Sequence, residues 1–324
     1  MFERWKGKRD KVIPKIKFEK RGLMGYRSVV ISSSVRITVK NEQLVIEGEN
    51  SGSVPIEDIR TLMLESRSST ITTYALSSLS EAGVCVFVCD EKHLPSAIIQ
   101  PVGRHFRQRK QILTQLSQSK PHLKRMWQEI VVSKIKNQAK CLELCGVDSE
   151  YFQKVDRLSN LVQSGDTTNI EGQAAALYFR YLFGKEFSRG QDSDINSALN
   201  YGYAILRGYI ARTLANYGYE PCIGIHHHSE LNNYNFADDL IEPFRPLVDL
   251  FVFQNMTNTE FSTKEKRELC NILNYELVSG DGHHSAAYAV ERLIHSIERS
   301  FTLGYEADQL LLPKIEELRR HNYE

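Results

Sequence analysis

The chain lacks any long apolar run: no stretch approaches the roughly 18 residues a membrane span needs, and residues 1–23 have no apolar segment of signal-peptide type. A cytoplasmic protein is therefore expected. Cysteine is also scarce, with six in 324 residues, which suits reduced thiols and excludes a disulfide framework. Cys85 and Cys89 belong to an apolar run, and Cys141 and Cys145 are one helical turn apart. A zinc site built from these two pairs is the lesser reading, because free cysteines ordinarily behave as small buried hydrophobes. No internal repeat or low-complexity tract occurs, which excludes a solenoid, a coiled coil and a disordered chain. With 41% hydrophobic and 25% charged residues, the composition is that of a globular protein long enough for two domains.

Net charge is equally small, +1, but its distribution is uneven. Residues 1–23 carry nine Lys/Arg against three Asp/Glu, a local +6. Residues 100–140 carry ten against the single acid Glu129, a local +9. Blocks of this kind mark a polyanion partner, the blander alternative being a solvated helix face.

Short β-rich runs separated by turn residues occupy 27–31, 35–39, 44–46, 61–64 and 84–88. One helix interrupts them at Thr73–Ala82, where Tyr74, Leu76, Leu79 and Ala82 recur at helical spacing before Gly83. Pro95 and Pro101 bracket a connector, after which apolar residues recur with helical period to the C terminus. The expected class is α+β: a basic extension at 1–23, a small N-terminal β-sheet domain at 24–95, a linker at 96–103, and a larger all-α C-terminal catalytic domain at 104–324.

Two segments carry chemistry. In the first, Asn169 is a helix N-cap candidate that places Glu171 in the first helical turn, where a glutamate can serve the helix dipole alone. Gly172 and the alanines after it would let another element approach that carboxylate. The second segment runs from Gly224 through His226, His227 and His228 to Asp238, Asp239, Glu242 and Arg245. Asp239 and Glu242, at i and i+3, can share a helix face. Pro246 makes that helix bent or short. Alternate side chains of an extended loop face opposite ways, so at most two of the three histidines can be ligands of one site. Imidazole with carboxylates suits Mg²⁺ or Mn²⁺ in phosphoryl transfer, zinc being the competing metal.

The strings from Ile170 to Ala175, from Asp194 to Tyr203, and from Gly224 through His228 to Pro246 resemble, in order and neighbourhood, the Cas-one (Cas1) integrases of CRISPR spacer acquisition, most closely their type II branch. The resemblance spans about residues 24–310. It implies that Glu171, His227 and Glu242 are the catalytic residues and hold the metal, Mg²⁺ or Mn²⁺. His226 and His228 become supporting or DNA-facing, and Asp239 a supporting carboxylate. Many members carry Asp where this chain has Glu242. The resemblance also implies a homodimer, a small ferredoxin-like companion subunit of the adaptation complex, and two DNA partners: a double-stranded fragment and the CRISPR repeat. Residues 1–23 have no counterpart in the family pattern.

The expected reaction is attack of a fragment's 3′-hydroxyl on a phosphodiester at the repeat edge, without ATP. Arg104, Arg107, Arg109, Lys110, Lys124 and Arg125 would grip DNA phosphates, contacts that position without specifying sequence. Arg245 either meets phosphate or, the better reading, anchors Asp249 and Glu242. The alternatives are a metal-dependent nuclease acting on branched DNA in repair, and a non-catalytic DNA-binding scaffold.

Overall fold

The computed structural model describes residues 25–49, 51–91, 93–99, 105–256, 260–304 and 306–323. The basic segment 1–23 and Arg104 lie outside the described residues. Eight strands come first: β1 (Arg27–Ile31), β2 (Arg36–Lys40), β3 (Gln43–Glu47), β4 (Gly52–Pro55), β5 (Ile59–Leu64), β6 (Thr70–Ile71), β7 (Cys85–Cys89) and β8 (Pro95–Ile99). One helix, α1 (Thr73–Ala82), lies between β6 and β7. The strands form two four-stranded sheets, ordered β1-β5-β7-β8 and β4-β3-β2-β6. Asn41 and Glu42, both at positive φ, turn β2 into antiparallel β3, as a tight hairpin requires. α1 starts where the Thr72 side chain accepts the Ala75 N–H and stops at Gly83, whose φ of 88° is left-handed.

Because successive strand residues face opposite ways, the first sheet serves two cores. Leu62 and Val86 join Ile31, Ile37, Leu44 and Leu79 between the two sheets. Met63, Cys85 and Phe87 point to the other side and enter the core of the helical region. Cys85, Cys89 and Cys141 are buried as small apolar side chains, and among the described residues no group of three or more His, Cys, Asp or Glu side chains is arranged to hold a metal ion.

The helical region comprises α2 (Gln108–Leu116), α3 (Lys120–Leu144), α4 (Ser149–Leu158), α5 (Ile170–Phe183), α6 (Asp194–Asn216), α7 (Asn235–Ile241), α8 (Arg245–Met256), α9 (Thr263–Leu269) and α10 (Ala286–Leu303). Helix α3 is its axis, packed against α4, α5 and α8. Helix α6 lies between α8 and the first sheet. A Cβ on Gly208 would stand 2.3 Å from Phe87, and one on Gly202 would stand 2.5 Å from Val248, so glycine at both positions lets the layers meet.

The α+β architecture is the one expected, with two additions. The stretch read as a linker holds β8, which pairs antiparallel with β7. The helical region contains an antiparallel hairpin, β9 (Glu276–Ser279) and β10 (Gly282–Ser285), on which the C-terminal segment docks through Val278–Lys314 and Tyr275–Arg320 bridges. No described helix is long and apolar enough to cross a membrane.

Candidate active site

Glu171 sits where the sequence put it, in the first turn of α5. The Asn169 side chain accepts the Gly172 N–H at 3.2 Å, while both oxygens of Asp166 accept the N–H groups of Ile170 and Glu171 at 2.9 Å. These caps satisfy donors that a helix start leaves open and fix the direction of Glu171. The absent side chain of Gly172 makes room for the Asn169 cap itself, its ideal Cβ position lying 2.8 Å from that amide.

Glu242 arrives from the opposite side. Helix α7 ends at Ile241, a 3₁₀ turn covers Glu242–Phe244, and α8 starts at Arg245, the short, interrupted path that Pro243 and Pro246 impose. Asn137 of α3 secures the turn by donating to the Pro243 carbonyl at 2.7 Å. Asp239 and Glu242 take different partners, the first serving the histidine loop and the second Lys134 and Arg245.

Between the two glutamates stands Lys134 of α3, whose buried ammonium donates to Glu171 Oε1 and to Glu242 Oε2. Arg245 donates from Nε to the other Glu242 oxygen at 2.8 Å, and its guanidinium lies over the Tyr203 ring, 4.6 Å from the centroid. Burial alone would raise the Glu242 pKa, but Arg245 and Lys134 outweigh it and hold the carboxyl at about 2. Burial would likewise lower the Lys134 pKa, yet Glu242 and Glu171 outweigh it and raise it above the ordinary lysine value. Arg245 thus anchors Glu242. Asp249 takes its hydrogen bonds from Tyr178, at 2.9 Å, and from Tyr203; burial pushes its carboxyl up to about 6.

The histidines lie on the loop between α6 and α7. Gln115 of α2 clamps its beginning, donating to the carbonyls of Glu220 and Ile223 at 3.1 and 2.7 Å and accepting the Glu220 N–H at 3.0 Å. Asn235 clamps its end by donating to the carbonyls of Cys222 and Ser229. Gly224 is needed because a Cβ there would stand 2.3 Å from the His227 carbonyl oxygen and 2.8 Å from Asp239.

Asp239, fully buried, organises this loop. Its carboxylate accepts the N–H groups of Ile225 (2.5 Å), His226 (3.0 Å) and His227 (3.1 Å), and lies 2.7 Å from His227 Nδ1. That last contact raises the His227 pKa despite partial burial and leaves Nε2 as the ring nitrogen free to act. His226 stacks face to face on Trp127 of α3, with centroids 4.2 Å apart and planes at 2°, and burial lowers its pKa. The Trp127 ring also meets His227 edge-on at 5.6 Å. His228 is exposed.

Of the expected phosphate-gripping residues, Arg107, Arg109, Lys110, Lys124 and Arg125 are exposed on α2, its N-cap and the first half of α3. Lys134, counted by charge in the same basic stretch, turns inward instead. Sequence reading missed Lys134, Trp127 and Asp166. For the first two a signal existed: Trp127, Ile130, Val131, Lys134 and Cys141 fall on the apolar stripe of α3, so a lysine there is one that faces inward.

Comparison with known proteins follows the same lines. The family model for CRISPR associated protein Cas1 matches residues 28–276. The chain is 40% identical over 307 residues to the CRISPR-associated endonuclease Cas1 of Neisseria meningitidis serogroup C, covering 93% of this chain and 100% of that one. It is 26% identical to the CRISPR-associated endonuclease Cas1 2 of Pyrobaculum aerophilum, over 70% of this chain and 81% of that one. Among solved structures, a casposase bound to integration product superposes with a TM-score of 0.69 at 18% identity, over 92% of this chain and 96% of that one. A chain of a Cas6-RT-Cas1–Cas2 complex superposes with a TM-score of 0.68, also at 18% identity, over 91% of this chain and 37% of that larger one. At these identities the structural likeness is one of fold.

Proposed function

The chain belongs to the Cas1 family of CRISPR-associated proteins, and from that premise we propose that it is a metal-dependent DNA integrase of CRISPR adaptation, joining the 3′-hydroxyl of a short DNA fragment to a phosphodiester at the repeat edge. Glu171, Glu242 and His227 are the residues that would hold Mg²⁺ or Mn²⁺. The observation that carries this reading is the convergence of two carboxylates, one from the start of α5 and one from the turn after α7, on a single cationic group, beside an imidazole whose Nδ1 is engaged by buried Asp239. Two carboxylates and one imidazole are donors of the kind that suits either ion, but with Lys134 between the glutamates they are not arranged as a ready-made metal site among the described residues. When bound, such a metal supplies charge stabilisation at the phosphate undergoing exchange.

The chain's own residues do the rest by positioning. Asp239 holds the histidine loop and sets the ring orientation of His227. Trp127 braces His226 by stacking. Arg245 fixes one oxygen of Glu242 so that the other meets Lys134. Arg107, Arg109, Lys110, Lys124 and Arg125 offer exposed cations for DNA phosphates, contacts that set register and carry no sequence information. A companion subunit agrees with the Cas1–Cas2 complex named for one structural neighbour, and a homodimer is part of the same proposal.

We favour integration over hydrolysis as the reading to test: one neighbour of like fold is named as bound to integration product, while the curated relatives are named endonucleases. Incubation with Mn²⁺, a labelled short duplex and a repeat-containing duplex separates the two: joined strands are expected, and they should vanish with chelator or in Glu171→Ala. Shortened strands alone would assign the site to a nuclease acting on branched DNA. Strand joining undiminished by chelator would end the metal-dependent reading.

A further inference from the structure

We infer that Lys134 is a positioning residue that competes with the divalent metal for Glu171 and Glu242. Its ammonium keeps the two carboxylates converged and must withdraw when a metal takes them. The inference rests on the reading of Glu171, Glu242 and His227 as metal ligands.

The geometry is specific. Lys134 is only 6% exposed, and its ammonium touches one oxygen of each glutamate. Glu242 has its other oxygen occupied by Arg245. A metal drawing on Glu242 must therefore take the oxygen that Lys134 now holds, or share it, whereas Glu171 can turn its second oxygen, which Lys134 does not touch, to the same ion. Two like charges facing each other across a site of low dielectric would repel. The ammonium cancels that repulsion, which explains how a buried Glu242 and a half-exposed Glu171 hold a common aim. Lysine suits the task because its charge is a compact point on a flexible stem, unlike the rigid guanidinium fork of Arg245.

A second observation indicates where the ammonium goes. Gln138, one turn further along α3 and 2% exposed, has a buried side-chain carbonyl oxygen with no hydrogen-bond partner among the described residues. An unmet buried acceptor is costly, and side chains at i and i+4 meet on a helix surface. An ammonium displaced from the carboxylates finds there the acceptor it needs to remain buried.

The test is calorimetric titration with Mn²⁺ alone, at one pH and ionic strength, of the wild-type chain, Lys134→Met and Gln138→Leu. Removing the competitor should tighten Mn²⁺ binding about tenfold or more, the factor that about 1.4 kcal/mol of lost competition gives. The sign is diagnostic, since a variant that merely damaged the site would bind more weakly. Gln138→Leu should weaken binding in the wild-type background and leave it unchanged beside Lys134→Met. Should Lys134→Met fail to fold, Lys134→Gln keeps polar contact without charge, and the same tightening is expected. Equal or weaker binding by the lysine variants overturns the inference while leaving the metal reading in place. No Mn²⁺ binding by any of these proteins, with DNA absent or present, overturns both.

Discussion

Replacing Asp239 by Asn changes one atom of a fully buried side chain and should still disable the site. The carboxylate serves three backbone N–H groups and His227 Nδ1, two contacts on each oxygen. An amide keeps one acceptor and turns the other into a donor, so one orientation sets the NH₂ group against two backbone N–H groups and the other sets it against the His227 N–H and ring Nδ1. Hydrogen bonds to a charged acceptor contribute about 1.5–3 kcal/mol each, and losing two in a buried loop costs roughly 3–6 kcal/mol. At about 2–4 °C per kcal/mol for domains of somewhat smaller size, the melting temperature should fall by roughly 10 °C. Strand transfer should fall about 10–100-fold, the usual cost of losing the partner that orients a ligating histidine. DNA affinity should hold, because no exposed cation changes. Differential scanning calorimetry, strand-transfer rates and DNA titration measure the three quantities on one preparation. A variant that melts within about 2 °C of wild type and joins strands at full rate would refute the role given to Asp239.

Asp249 should give stability a pH dependence. Its folded pKa of about 6 lies above the ordinary 3.8, so the folded state holds the proton more tightly, and stability from this group declines as pH rises from about 4 to 6, by about 3 kcal/mol. Asp249→Asn should flatten that decline in melts across this range, and an unchanged slope would contradict it. Neutralising Arg107, Arg109 and Lys110 to Gln should reduce the log–log salt slope of duplex binding by up to about 3, at about 0.9 per phosphate contact; an unchanged slope returns them to a solvated face. Gly208→Ala pushes a methyl into Phe87 and should cost about 1–3 kcal/mol, read as a lower denaturant midpoint, whereas wild-type stability would show that the layers can part freely. A chain starting at Met24 should melt like the full chain yet bind DNA more weakly at low salt, having lost the +6 segment; a large stability loss would show that residues 1–23 belong to the core.

The strands β1, β2, β3, β5 and β7 and helix α1 were legible because alternating or helical apolar spacing ends at turn residues such as Gly83. Strand β8 was not, since Pro95 read as a break, although a proline is tolerated at the first residue of an edge strand. The four-residue strands β9 and β10 are too short to show a period. At the site, the Asn169 cap and the place of Glu171 followed from local rules. The i,i+3 spacing of Asp239 and Glu242 did not foretell that the two take separate partners, which other elements supply. Lys134 was hidden by charge counting, which sums cations without regard to the helix face they occupy. The grip of Asp239 on residues 225–227 depends on a loop conformation that no periodicity encodes.

Anomalous diffraction from crystals of the wild-type chain grown with Mn²⁺ tests the central claim most directly. The account requires a single strong peak bound by carboxylate oxygens of Glu171 and Glu242 and by His227 Nε2, with the Lys134 ammonium drawn away from both glutamates. A peak elsewhere, or none between these residues with Lys134 still bridging the two carboxylates at saturating Mn²⁺, would contradict it.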